Sequence, residues 1–359
     1  MTSPLKQFLT ILAFLGLLFA PSALAQDAPD EPPAAIEAAI EDDFTLWLAA
    51  FRSEALEAGI EALLLDQVLA GLEPDDTVIE LSGTQAEFTQ TFERYSRQRL
   101  SETRVRRGRE MMAVHSDLLK SVGEAYGVQP RFIVAIWGLE TNYGSFIGGH
   151  DVIRSLATLA YVSPRDSRRA FFRKELIIAF QILQEGHIPY AGMQGSWAGA
   201  MGQGQFMPSS FKEYAQDFDG DGRHDIWTST ADILASIANY LKRHQWNDTF
   251  TWGRQVILPE GFAGHEGAIA QDNPSHGCRA ENSHSRALKL AEWNAIGVRR
   301  LNGDDLPDVD VNAALVRPGG KNGPAFLVYN NYRGILRYNC SNFYALVVGQ
   351  LSDRVREAL

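Results

Sequence analysis

The run Arg131-Phe132-Ile133-Val134-Ala135-Ile136-Trp137-Gly138-Leu139-Glu140 constrains this chain more than any other segment. It reads as a helix ending near Gly144, because Tyr143-Gly144 breaks the pattern directly after Thr141-Asn142. An acid at the end of such a stretch is half-buried beside Trp137, one helical turn back. Burial disfavours a carboxylate and raises its pKa. A carboxyl still protonated near neutral pH can donate its proton to a leaving group, which cleavage of a sugar–sugar bond requires. Ordinary glycosidases use a pair of carboxyls. No second acid is comparably placed in the apolar or glycine-rich segments, and that favours a mechanism in which the substrate supplies the internal nucleophile. The plainer alternative is a helix-end glutamate that only caps or pairs with an arginine. It leaves the apolar company of Glu140 unexplained.

The N-terminus reads as an export signal. Lys6 is the only charge before Gln26, Phe8 to Ala20 form an apolar run shorter than a membrane span, and Ala23-Leu24-Ala25 fits a small-x-small cleavage site. Residues 1–25 are therefore expected to be a signal peptide and 26–35 a linker. With no cysteine near the cut there is no sign of a lipid anchor, so an exported, periplasmic protein without a stable membrane anchor is expected. The formal charge of −11 opposes general nucleic-acid binding. The only cysteines, Cys278 and Cys340, permit one disulfide in an exported chain, or two buried free thiols, and the sequence leaves both open.

The remaining pattern is mainly α with a small β portion (α+β). Helical periodicity runs from Ala34 to about Val122, through Ser155–Tyr161, from Pro164 toward Glu185, and over Thr230–Gln245. Residues 252–324 turn strand-like and loop-like, with strands expected at Val256-Ile257-Leu258 and Ala314-Leu315-Val316. Ala325 to Tyr329 then lead to a helix over Phe343 to Leu351. Arg94 to Arg109 include seven arginines. A solvated helix face accounts for them best, and a surface meeting stem-peptide carboxylates of a polymer is the functional alternative.

Three further segments carry chemistry. Gly195 to Ser210 intersperses glycines with Ser196, Gln203 and Gln205 and with Trp197, Met201 and Phe206. Close-set glycines let backbone approach a ligand, and polar groups among flat apolar ones suit sugars, whose edges carry hydroxyls and whose faces carry C–H bonds. The spacing matches neither a P-loop nor a dinucleotide fingerprint. Asp217-Phe218-Asp219-Gly220-Asp221-Gly222-Arg223 opens like a calcium loop of the EF-hand type. Asp217, Asp219 and Asp221 would give carboxylates and Arg223 its carbonyl. Thr228 replaces the expected closing acid, so Asp232 would close an enlarged loop. Without a cation the segment is an Asx-rich turn. Tyr338 to Ala345 combines Tyr338, Asn339 and Tyr344 at the start of the last helix, either as an aromatic-packed cap or as a groove wall.

Together these segments, with Ser155–Tyr161 and Ala238-Asn239-Tyr240, resemble the lytic transglycosylase B family, which cleaves bacterial cell-wall peptidoglycan. The resemblance spans about 36–354. It implies a lysozyme-like core (about 122–250 plus 325–354) with a flanking helical part and a small β part (about 252–324). It also implies a lyase in which Glu140 is sole acid and then base, forming 1,6-anhydromuramic acid ends at the bond from N-acetylmuramic acid (MurNAc) to N-acetylglucosamine (GlcNAc). Ser196, Gln205, Phe206, Tyr240, Tyr338, Asn339 and Tyr344 would position the sugar of a glycan strand. The chemistry would need no cofactor, a structural calcium would sit in the Asp217 loop, and the protein would act as a monomer. A muramidase-type hydrolase using water and a non-catalytic peptidoglycan-binding protein are the competing readings.

Overall fold

A computed structural model describes residues 33–83, 90–271 and 278–356, with side chains from residue 43 onward. The expected signal peptide and the linker as far as residue 32 lie outside the described residues. Six helices come first: α1 Pro33–Glu57, α2 Ala62–Leu69, α3 Asp76–Gly83, α4 Phe92–Arg99, α5 Glu102–Val114 and α6 Ser116–Tyr126. The central helix α7 follows at Pro130–Thr141, then β1 His150–Asp151, α8 Val152–Val162, α9 Asp166–Gln184, β2 Gln194–Gly195, α10 Pro208–Tyr214 and α11 Thr230–Arg243. The C-terminal third holds β3 Gly253–Ile257, β4 Leu288–Lys289, α12 Leu290–Ile296, β5 Arg299–Arg300, β6 Asn312–Val316, β7 Ala325–Val328, α13 Asn330–Tyr338 and α14 Asn342–Arg356. No described helix is long and apolar enough to cross a membrane.

The apolar run becomes α7 because Pro130 occupies its first turn, where a missing N–H costs nothing. The helix is apolar on every side, so it must be enclosed. Phe132, Ile133, Val134, Ala135 and Ile136 are all fully buried, and α14, α5, α11 and α6 pack around them. Arg131 is the charged exception at the N-terminal end. It pairs with Asp353 of α14 and donates to Thr251 Oγ1 at 3.1 Å, so the buried guanidinium is partnered as its desolvation demands. Among the arginines of α4 and α5, Arg94, Arg97, Arg99 and Arg106 are exposed, as a solvated face requires. Arg109 instead donates to the Arg354 carbonyl and Arg104 to the Arg99 carbonyl.

The β part is one antiparallel five-stranded sheet in the order β4-β6-β7-β3-β5. Both expected strands are present. β7 lies past residue 324, where the β part was expected to end, and it pairs with β3 on one side and β6 on the other. All four of its residues are buried, as a central strand covered on both faces must be. One face supports a second apolar cluster around Trp293, Leu290 and Leu327. α12 and α13 are helices that the sequence pattern did not reveal. Both are short, and α13 interrupts the apolar stripe of its neighbours with Asn330, Asn331 and Arg333.

Cys278 and Cys340 form a disulfide, settling the alternatives left open by the sequence. Around it Glu281, 3% exposed, accepts from Arg333 at 2.6 Å, and Asn342 Nδ2 donates to the Ala280 carbonyl at 2.9 Å. The bridge and these polar contacts fasten the β part to the turn between α13 and α14. Closing a loop with a sequence separation of 62 restricts the unfolded chain, worth about 4 kcal/mol on the chain-entropy relation. Denaturant melts with and without reductant are expected to show a lower midpoint for the reduced protein. Coincident curves would show that the polar contacts alone hold the junction.

Candidate active site

Glu140 is the penultimate residue of α7 and is half-buried. Burial pushes its carboxyl up to about 7, although a hydrogen bond from Tyr344 and the positive charge of Arg99 both pull the other way. Tyr344 Oη donates to Glu140 Oε1 at 2.5 Å. A phenol beside a carboxylate loses its proton less readily, and burial with the Glu140 charge holds Tyr344 well above the usual tyrosine range, so it remains a donor. Of the described groups, no second acid acts on Glu140.

The carboxyl is held where α7 stops. Asn142, Tyr143 and Gly144 take successive left-handed conformations, with φ of 51°, 60° and 73°, which ends the helix abruptly and turns the chain. Tyr143 has its ring edge-on to Trp137 and its hydroxyl on the Arg104 carbonyl at 2.9 Å. Thr141 Oγ1 donates to the Gln203 carbonyl at 2.9 Å, and Trp137 Nε1 donates to Gln203 Oε1 at 2.8 Å. A Cβ on Gly144 would stand 2.2 Å from Gln203 Oε1, so only glycine lets the two segments meet. The glycine block is thereby tied to the catalytic helix.

Of the remaining sequence-selected aromatics Tyr338 stands beside this carboxyl, with the buried Phe206 behind it. Tyr338 is held well above the usual tyrosine range by burial and after it by the Glu140 charge, and its hydroxyl donates to the Gly204 carbonyl at 2.6 Å. Its ring centroid is 5.6 Å from Phe206 and 4.7 Å from Tyr240. Tyr240 is buried behind this pair and gives its hydroxyl to the Arg337 carbonyl at 2.6 Å. It therefore backs the wall and offers no free donor. Gln205 is half-exposed with a left-handed φ of 51°, and its amide donates to the carbonyls of Ile147 and Gly202, both at 3.0 Å. Ser196 closes a tight turn, its hydroxyl accepting from the Ala200 amide at 3.1 Å. Asn339 is exposed beside the disulfide.

Tyr95 and Arg99 of α4 were not singled out from sequence. The buried Tyr95 feels the Glu140 charge, and Arg99 sits over its ring at 5.5 Å. Both lie inside the arginine-rich run, where Arg99 stays exposed and its charge reaches Glu140 without a direct contact. Gln203 was noticed only as one amide among several. Its contact with Trp137 spans 66 positions and has no local signature.

Asp217, Asp219 and Asp221 bring one carboxylate oxygen each to within 4.8 Å of one another. Asp217 also accepts from the amides of Gly220 and Gly222 at 2.7 and 2.9 Å, which shapes the loop. Three hard oxygen donors this close fit a calcium ion, and without a cation their charges repel. Arg223 places its side chain on Asp221, holding that carboxyl below the usual range. Asp232 is outside the cluster. It is buried, and it accepts from the amides of Phe218 and Asp225 at 2.8 Å each, so it braces the loop from beneath.

Comparison with known proteins locates this arrangement. The family model described as a transglycosylase SLT domain matches residues 43–353. The membrane-bound lytic murein transglycosylase B of Escherichia coli is 30% identical over 312 residues, covering 83% of this chain and 79% of that protein. The crystal structure of SltB3 from Pseudomonas aeruginosa in complex with NAG-anhNAM-pentapeptide superposes with a TM-score of 0.79 at 44% identity, covering 87% of this chain and 79% of that one. The Escherichia coli lytic transglycosylase Slt35 in complex with calcium superposes with a TM-score of 0.70 at 28% identity, covering 87% of this chain and 93% of that one.

The pKa of Glu140 sets a stability dependence. The folded chain keeps this proton up to about pH 7, whereas an ordinary glutamate, at 4.5, gives it up earlier. Between those values the unfolded state binds fewer protons, so stability falls as pH rises through the interval. Glu140→Gln is expected to be more stable than the parent by roughly 2–3 kcal/mol at about pH 8 and equal to it at about pH 4, read from denaturant melts. Equal stabilities at both values would mean that the carboxylate is not desolvated.

Proposed function

The chain belongs to the transglycosylase SLT family and is a lytic transglycosylase, an enzyme that cleaves peptidoglycan; from that premise we propose that Glu140 performs both proton transfers of the reaction. The carrying observation is a half-buried carboxyl, at about 7, with a tyrosine donor and no second acid acting on it among the described residues. Protonated Glu140 gives its proton to the glycosidic oxygen between MurNAc and GlcNAc as the C1–O bond breaks. The N-acetyl carbonyl of muramic acid stabilises the cationic C1. Glu140, now a carboxylate hydrogen-bonded by Tyr344, takes the proton from the sugar's own C6 hydroxyl, whose oxygen closes on C1. The product is a 1,6-anhydromuramic acid end, and no water is consumed. A pKa near the working pH suits one group to both roles.

Tyr338 and Gln205 would line the sugar site with Tyr344, while the buried Phe206 and Tyr240 support them and Ser196 and Asn339 stand at its edges. Arg99 would stabilise the carboxylate form of Glu140 in the second step. We further propose that calcium binds Asp217, Asp219 and Asp221 with the Arg223 carbonyl, Asp232 bracing the loop, and that the ion stabilises the fold without entering the chemistry. The protein would act as a periplasmic monomer on glycan strands after loss of residues 1–25.

Digestion of purified peptidoglycan followed by mass spectrometry tests the reaction. Muropeptides about one water lighter than hydrolytic ones are expected, and Glu140→Gln is expected to lose about 10³-fold or more in turnover while melting as a folded protein. Reducing ends would make the reaction a hydrolysis. Substantial turnover by the variant would remove Glu140 from the role. For the metal, calcium added to chelator-stripped protein is expected to raise the melting temperature, and Asp219→Ala is expected to abolish the rise. A melting temperature indifferent to calcium in the parent protein would remove the ion from the loop.

A further inference from the structure

The loop that follows Glu140 carries an aromatic ring into solvent. Phe146 is 73% exposed, the largest value among the exposed large hydrophobic residues described. A single apolar side chain on a surface needs no explanation by itself. The backbone beneath this one does, because it is fastened at many points to the site. The Phe146 amide donates to the Thr141 carbonyl at 3.1 Å, beside Glu140 in the chain. Ser145 Oγ donates to the Asn142 carbonyl at 2.8 Å, and the Gly144 amide donates to Thr141 Oγ1 at 3.1 Å. On the far side the Gln205 amide holds the Ile147 carbonyl, and an added Cβ on Gly148 would meet the Gly195 carbonyl oxygen at 2.0 Å. Ring and catalytic carboxyl are therefore borne by one rigid turn, braced by the glycine block.

With the backbone held this way only the two side-chain torsions of the ring remain to be fixed on binding, a small entropic cost. Its flat face matches the C–H face of a pyranose, and the exposed Ser145 beside it offers a hydroxyl to the sugar's edge. A membrane or a protein hot spot would call for a contiguous apolar patch, whereas the flanking residues are Ser145, which is exposed, and Ile147, which is half-buried against the core. Resting on the reading that this enzyme cleaves glycan strands, we propose that Phe146 is a stacking platform for a pyranose ring of the strand at a subsite adjoining the scissile bond.

Such a ring contributes to binding without touching the reacting atoms, so its loss should appear in KM and leave kcat unchanged. On glycan strands stripped of stem peptides, Phe146→Ala is expected to raise KM about fivefold or more with kcat within about twofold, and Phe146→Trp is expected to restore KM. Binding of the same strands by Glu140→Gln protein, with and without Phe146→Ala, should show the same loss. The side chain is mostly in water, so the melting temperature should not move. An unchanged KM would overturn the platform, and so would a fall in kcat at constant KM. A penalty seen only with peptide-bearing strands would assign the ring to the stem peptide and overturn the pyranose. If the parent released no fragments from peptidoglycan, the proposed reaction would fail, while the binding titration would still decide the role of Phe146.

Discussion

The cost of stripping water from one carboxylate organises this molecule. Glu140 is held away from solvent at the end of a helix that is itself enclosed on every side, and its proton affinity follows from that enclosure. A glutamate in water is ionised at neutral pH and has no proton to give. The surrounding helices α14, α5, α11 and α6 thus do more than stabilise α7. They remove the solvent that would otherwise ionise its last acid. Tyr344 and Arg99 set the opposite limit, because a carboxyl too deeply desolvated could not serve as a base once its proton has gone.

The parts that position this group come from distant stretches of chain. Tyr344 reaches Glu140 across 204 positions and Trp137 reaches Gln203 across 66. Cys340 lies in the turn between Tyr338 and Tyr344, so the β part is fixed to one wall of the site by a covalent bond and by an ion pair between the buried Glu281 and the exposed Arg333.

Much of this was legible in the sequence because local physics carried it. The apolar run with its terminal acid, the short apolar runs in β3 and β6, and the acid spacing of the Asp217 loop are all patterns within a few residues. What escaped were features that exist only after folding. Tyr95 stands inside the arginine-rich run and is buried only once α4 is packed beside α14. Asp232 has the spacing of a closing metal ligand, yet its oxygens accept backbone amides from under the loop. α13 carries asparagines where an apolar stripe was sought. Asn331 is buried because its side chain receives the Asn247 amide and donates to the carbonyls of Asn247 and Phe250, a satisfaction that only the tertiary structure provides.

The approach of Gly148 to the Gly195 carbonyl limits how relatives of this chain can drift. With an added Cβ only 2.0 Å from that oxygen, the backbones already touch and no methyl group fits between them. The exposed Phe146 side chain borne by this stretch is free of that limit. Change in glycan preference within such a lineage would then proceed by exchange of side chains on an unmoving frame, and insertions in this stretch would be purged before they could alter it.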